Sequence, residues 1–163
     1  MNESPADILH PIFSQAVLFA TGQLQAERVL IVYEGMGLVC GLEASTLWLS
    51  GEISTSLLQA LIEEGEPQVL VDAVEDVRTR DQTSAILSAL RSALYIPLKN
   101  PTMSWAGLLY IDHRGRAGVF AQEQLMKAQR FVDETLTPQL HEAFPNACGD
   151  HLDWDSLVHT EFI

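Results

Sequence analysis

The sequence predicts an α/β (α+β) domain in which an antiparallel sheet of about six strands is covered by helices on both faces. Three observations point there. The β-rich runs, such as Arg28 to Glu34 and Ala93 to Leu98, are apolar on both faces, so both faces need cover. Most connections between neighbouring runs are of hairpin length, which joins strands antiparallel. The order is helix, two or three strands, helix, strand, short helix, two strands, helix, which supplies a helical layer for each face.

Each element has a local reason. Ser4-Pro5-Ala6-Asp7 opens the first helix, with Ser4 as cap, Pro5 at the first helical position and Asp7 in the positive first turn. Ile8, Ile12, Ala16, Ala20 and Leu24 then recur every four residues beside Leu9, Phe13 and Val17. This stripe is wider than one core face needs and leaves apolar surface for a partner helix. Arg28 to Glu34 is a strand, Gly35-Met36-Gly37 a turn and Leu38 to Leu42 the returning strand, which Thr46 to Leu49 is expected to continue. Ser54 caps a second helix with Leu57, Leu58, Leu61 and Ile62 on one face and Gly65 as its stop. Gln68 to Val71 is a short strand, and the mixed stretch from Asp72 to Leu90 holds a short helix near Ser84 to Leu87. Pro97 in the strand Ala93 to Leu98 marks an edge or a missing ladder bond. Trp105 to Asp112 is the last strand before a long helix from about Ala121 to about Ala143, whose final turns Pro138 should kink or fray. Residues 1–146 form the domain, and residues 147–163 read as an acidic C-terminal tail.

Bulk properties exclude several functions. A chain of 163 residues with 47% apolar content builds one ordinary domain with a real core. Its 22 acidic residues against 9 Lys and Arg give a formal charge of −13, which repels phosphate backbones and anionic membrane surfaces. No run approaches the roughly 20 apolar residues of a membrane span, and the N-terminus does not read as a signal peptide. The two cysteines, Cys40 and Cys148, lie far apart and outside any CxxC pair, as expected of thiols in a reducing cytoplasm.

Four segments carry a family resemblance. Ile53 to Pro67 looks like a helix and turn before a strand; Val69-Leu70-Val71-Asp72-Ala73, with Asp76 and Arg78 beyond, is similar to a strand ending in an Asp-Ala pair. Leu90-Arg91-Ser92 to Pro97-Leu98 resembles a Leu-Arg-Ser…Pro-Leu strand, and Gly107-Leu108-Leu109-Tyr110-Ile111-Asp112 a Gly-x-Leu-Tyr-Leu-Asp strand. In this order and spacing they resemble the GAF family, in particular bacterial GAF domains beside phosphopeptide-binding modules or in transcriptional activators. The resemblance extends to about Phe144. It implies a GAF/PAS-like antiparallel sheet of about six strands between helical layers, and a regulatory duty: ligand sensing, dimerisation or protein contact.

The chemistries known in that family meet poor residue support. The cyclic-nucleotide signature Asn-Lys-Phe-Asp-Glu is not matched: Lys99-Asn100 is reversed, and Phe120 is followed by Ala-Gln-Glu-Gln. Bilin attachment needs a pocket cysteine, usually beside a His, and Cys40 has no such neighbour. Free methionine sulfoxide reduction needs attacking and resolving thiols within reach; Cys40 is expected in the sheet and Cys148 past the last helix. His10, His113, His141, His151 and His159 have no metal-ligand spacing, and neither a hydrolase elbow nor a phosphate loop occurs. No catalytic, cofactor or metal residue is assigned.

Asp72 and Arg78 fall where the resemblance places a pocket loop, and Tyr95 stands on the strand beside it. They are the candidate ligand-pocket residues. The plainer readings are that Asp72 caps the next turn with Glu75, that Arg78 is solvated or ion-paired, and that Tyr95 is a core ring. In the tail, Leu152, Trp154, Leu157 and Phe162 interleave with acids. They suit contact with a basic, grooved protein partner, folding back on the domain, or disorder.

The expected function is a non-catalytic, cytoplasmic regulatory domain acting through a protein partner and as a homodimer, its first and last helices pairing between copies. The alternative is a sensor with a small-molecule ligand between the sheet and the Asp72–Leu90 segment. The third is a reductase of the free methionine sulfoxide kind.

Overall fold

The computed structural model describes residues 3–72 and 90–163. Helix α1 (Pro5–Gln23) begins on a capping box: Ser4 Oγ accepts from the Asp7 N–H, and the Asp7 carboxylate accepts from the Ser4 N–H. Strands β1 (Arg28–Tyr33) and β2 (Met36–Cys40) form a hairpin. Its two-residue turn is Glu34-Gly35, not Gly35-Met36-Gly37: both residues have positive φ, and Tyr33 pairs directly with Met36. That geometry matches the twist of the flanking strands. Ala44–Thr46 is a 3₁₀ turn, so the expected strand at Thr46 to Leu49 does not form. Leu47 is buried in the second core and Trp48 packs against it, while Leu49 faces solvent.

Helix α2 (Thr55–Glu64) starts where expected, with Ser54 Oγ accepting from the Leu57 N–H, and stops at Gly65 in the left-handed conformation. Strand β3 (Gln68–Leu70) follows. The helix expected near Ser84 to Leu87 lies outside the described residues. Strands β4 (Ser92–Lys99) and β5 (Trp105–His113) are the longest. Among the described residues β3 pairs only with Ala93 to Tyr95, so Pro97 lies beyond that pairing on the β3 side of β4. Gly107 sits opposite Tyr33, where an added Cβ would lie 2.1 Å from the Val32 carbonyl oxygen. Only glycine permits that approach of β5 to β1.

The long last helix divides into α3 (Gln122–Phe131), a π-helical turn (Val132–Leu136) and α4 (Thr137–Ala143). Pro138 has no N–H, and its ring crowds the preceding turn. The widened turn just before it accommodates both effects, so the distortion precedes Pro138 instead of fraying the end. Segment 147–163 then crosses the domain, forms a short helix α5 (Trp154–Val158) and adds strand β6 (Glu161–Phe162) beside β2.

The sheet order is β3-β4-β5-β1-β2-β6. All pairings are antiparallel except β2–β6, which is parallel. The sheet is therefore mixed where an antiparallel one is expected. β6 returns after the helical layer, not through a hairpin, and so runs in the same sense as β2.

Alternation along the strands makes two cores. Val29, Ile31, Tyr33, Leu94, Ile96, Leu98, Leu109 and Ile111 face α1, α3 and α4. Leu30, Val32, Ala93, Tyr95, Leu108 and Tyr110 face α2, the Leu47–Ile53 loop and the C-terminal Leu152 and Leu157. The first and last long helices share one face and the middle helix covers the other, as the two-faced strands require.

Candidate functional site

The α2 face of the sheet carries a buried polar group. Arg28 begins β1 and stands directly opposite Asp112 near the end of β5. Their side chains are 1% and 0% exposed. The guanidinium donates from Nε to Asp112 Oδ1 at 2.6 Å and from Nη2 to Oδ2 at 2.7 Å. Tyr110, two residues earlier on the same face, donates its hydroxyl to Oδ2 at 2.6 Å. The remaining guanidinium nitrogen, Nη1, donates to the Glu52 carbonyl and so ties the loop before α2 to the sheet. Burial alone would lower the Arg28 pKa, but the hydrogen bonds and charge of Asp112 outweigh it and hold the guanidinium above its ordinary value. Burial pushes the Asp112 carboxyl up, against the hydrogen bonds from Arg28 and Tyr110. Three donors thus converge on one carboxylate, the arrangement of a charge-assisted buried cluster. Sequence reading placed Asp112 only within a family-like strand and did not single out Arg28. The available signal was an Arg opening one strand and an Asp closing another, with apolar residues between.

Of the expected pocket residues, Tyr95 lies on the same face directly opposite Tyr110. It is buried in the second core, and desolvation raises its phenol well above the ordinary value. Asp72 is half-buried and accepts from Arg91 at 3.3 and 3.4 Å. Arg91, read only as part of a family-like strand, is thus its cation. Arg78 and Glu75 lie outside the described residues. Tyr95 and Asp72 flank the short strand β3 and share no hydrogen bond, and Tyr95 adjoins the Arg28 group through its cross-strand partner Tyr110, which donates to Asp112.

The four tail residues pack on the domain itself. Leu157 is fully buried and Leu152 nearly so, both in the second core. Trp154 meets the edge of Trp48 with centroids 5.4 Å apart, and Phe162 packs near the same ring. Leu152 and Leu157 are thus unavailable to a partner in this conformation; Trp154 and Phe162 keep part of their surface. Asn100, wholly buried, fastens the segment: its Nδ2 donates to Glu34 Oε1 at 2.8 Å and to the Gly149 carbonyl at 3.0 Å. Its Oδ1 accepts from the Thr102 N–H and hydroxyl and from the Ser104 N–H.

The cysteines are separated by the hairpin. Cys40 pairs with Val29 at one end of β1. Cys148 adjoins Gly149, which Asn100 joins to Glu34 at the other end. Five residues of extended strand put these ends roughly 16 Å apart, too far for thiols of one chain to exchange. His113, His141 and His159 have ring nitrogens engaged with backbone groups, and His10 lies beside the Ser14 hydroxyl. Among the described residues no cluster of His, Cys, Asp and Glu has the makings of a metal site. No described helix is long and apolar enough to cross a membrane.

No family profile matches the sequence, and no curated protein matches it. Solved structures do match. The GAF domain/HD domain protein from Geobacter sulfurreducens is 12% identical, with a TM-score of 0.58 over 86% of this chain and 98% of its own. The GAF domain of a phosphoenolpyruvate-protein phosphotransferase from Coxiella burnetii is 17% identical, with a TM-score of 0.52 over 85% and 93%. A type II free methionine-R-sulfoxide reductase from Thermoplasma acidophilum is 13% identical, with a TM-score of 0.56 over 83% and 96%. With its two-sided sheet and helical layers, the chain folds as a GAF-like domain.

Proposed function

We propose that this chain is a non-catalytic regulatory domain of a cytoplasmic signalling system, working through protein contacts and as a homodimer paired through α1, α3 and α4. The observation that carries the reading is apolar surface on that helical layer. Leu18 on α1 is 70% exposed and Met126 on α3 is 59% exposed. The same two helices are joined by the Phe19–Phe131 stack, with rings 4.2 Å apart and nearly parallel. A rigid layer that shows large apolar side chains suits a helix-to-helix contact between copies. The separated cysteines speak against thiol catalysis within one chain.

Size-exclusion chromatography with light scattering tests it. The wild-type chain is expected at twice its 18.0 kDa mass, and the double variant Leu18→Glu/Met126→Glu at the monomer mass. A wild-type chain that stays monomeric at high concentration removes the dimer.

A second reading, a sensor with a small ligand beside Tyr95, is favoured by the cross-strand pair Tyr95 and Tyr110 on the α2 face. Native mass spectrometry of freshly purified protein separates the two: a retained small molecule supports sensing.

A further inference from the structure

A groove runs along the outer side of α2, on the sheet face opposite the proposed dimer surface. Its volume is about 390 Å³, and Gln59, Ile62 and Glu63 form one wall while residues 151–155 form the other. Its floor is apolar: Ile62 and Leu152 are buried in the second core and Trp154 keeps part of its ring in solvent. Its rim carries three acids, Glu63, Asp153 and Asp155, and one imidazole, His151. Asp153 is occupied as the cap of α5, accepting from the Ser156 N–H at 2.8 Å, and that backbone bond holds its carboxyl below the ordinary value. Among the described residues the carboxylates of Glu63 and Asp155 have no hydrogen-bond or ion-pair partner. An indole with two uncommitted carboxylates beside it is complementary to a cation on an aliphatic stem: the carboxylates take the charge and the ring takes the stem. The open shape fits an extended chain, and the overall charge of −13 draws basic segments toward the domain.

We propose that this groove is the docking site for a basic peptide segment of a protein partner, with Arg or Lys between Glu63 and Asp155 and an apolar neighbour against the exposed part of Trp154. The proposal rests on the protein-contact reading above and uses a different face of the molecule.

The test is fluorescence anisotropy of the full chain with a labelled eight-residue peptide of alternating Arg and Leu, at about physiological salt, where unspecific surface attraction is screened. A peptide of alternating Glu and Leu is the control. Saturable binding is expected, weakened about tenfold in Glu63→Lys/Asp155→Lys and left within about twofold in Glu142→Lys, a charge change on α4. Nitrogen-15 correlation spectra of the wild-type chain, which need no variant, should place the peptide-induced shifts at the Trp154 indole and the Gln59 side-chain amide. Shifts spread over the surface, equal weakening by Glu142→Lys, no saturation, or full competition by spermidine each overturn the proposal. Light scattering on the same samples keeps the two readings apart. A dimer that ignores the peptide removes only the groove, and a monomer that binds it removes only the dimer.

Discussion

Arg28 and Asp112 face each other across the β1–β5 pairing with both carboxylate oxygens held by one guanidinium, at 2.6 and 2.7 Å, and with neither side chain reaching water. A buried pair of this kind contributes little against a well-packed apolar replacement, yet losing one partner strands a charge. Asp112→Ala should therefore cost about 3–5 kcal/mol in urea unfolding. The double variant Arg28→Met/Asp112→Leu should recover most of that loss. If Asp112→Ala unfolds at the wild-type midpoint, the pair is not holding the sheet and the loop before α2 together.

Asn100 joins three segments that are distant in sequence: the β1–β2 turn at Glu34, its own β4–β5 turn, and the C-terminal segment at Gly149. Replacing it with Ala removes these bonds and leaves Glu34 and the Gly149 carbonyl short of a donor. Both acceptors belong to half-buried residues, so water can partly replace the donor and each loss should cost about 1 kcal/mol. Asn100→Ala should lower global stability and make the chain near residues 147–152 far more sensitive to limited proteolysis. Cleavage at the wild-type rate would show that Asn100 does not fasten that segment.

Leu157 is fully buried although it lies six residues from the end of the chain as given. Leu157→Ala should destabilise the domain by about 2–5 kcal/mol through the cavity it opens. An effect below about 0.5 kcal/mol, the usual range for a surface change, would place the segment outside the cooperative fold.

All three tyrosines, Tyr33, Tyr95 and Tyr110, are buried. Desolvation raises each phenol, Tyr33 to about 12 with help from the nearby Glu34 carboxylate, and Tyr95 and Tyr110 well above the ordinary value. A raised phenol pKa means that the folded state favours the neutral form. The stabilisation is complete below the unfolded value of about 10 and is lost as pH rises toward and past the folded value. Absorbance at the phenolate band should stay flat through the pH at which free tyrosine is half ionised, then rise together with the loss of near-ultraviolet circular dichroism. A phenolate signal half developed near pH 10 in the folded protein would contradict the burial of these rings.

Local rules in the sequence carried much of the architecture. Ser4, Ser54 and Gly65 bound their helices as their chemistry dictates, because caps act within one turn and need no distant partner. The apolar runs from Arg28 and from Ala93 announced a sheet covered twice, because period-two alternation sends neighbours to opposite faces. Where context overrode local preference, the reading failed: a 3₁₀ turn carries the consecutive residues Leu47 and Trp48 onto the second core, so no strand forms at Thr46 to Leu49.

The sequence by itself determined the starts of α1 and α2, the stop of α2 at Gly65, the two-sided sheet and a net charge of −13. Only the tertiary structure decided that Arg28 meets Asp112, that Tyr95 lies across from Tyr110, that Asn100 fastens residues near position 149, and that Glu63 shares a groove with Asp155. The physical reason is sequence distance. Periodicity and caps are set by residues a few positions apart. Pairings across tens of residues depend on strand register and on the return path of the chain, which no local pattern records.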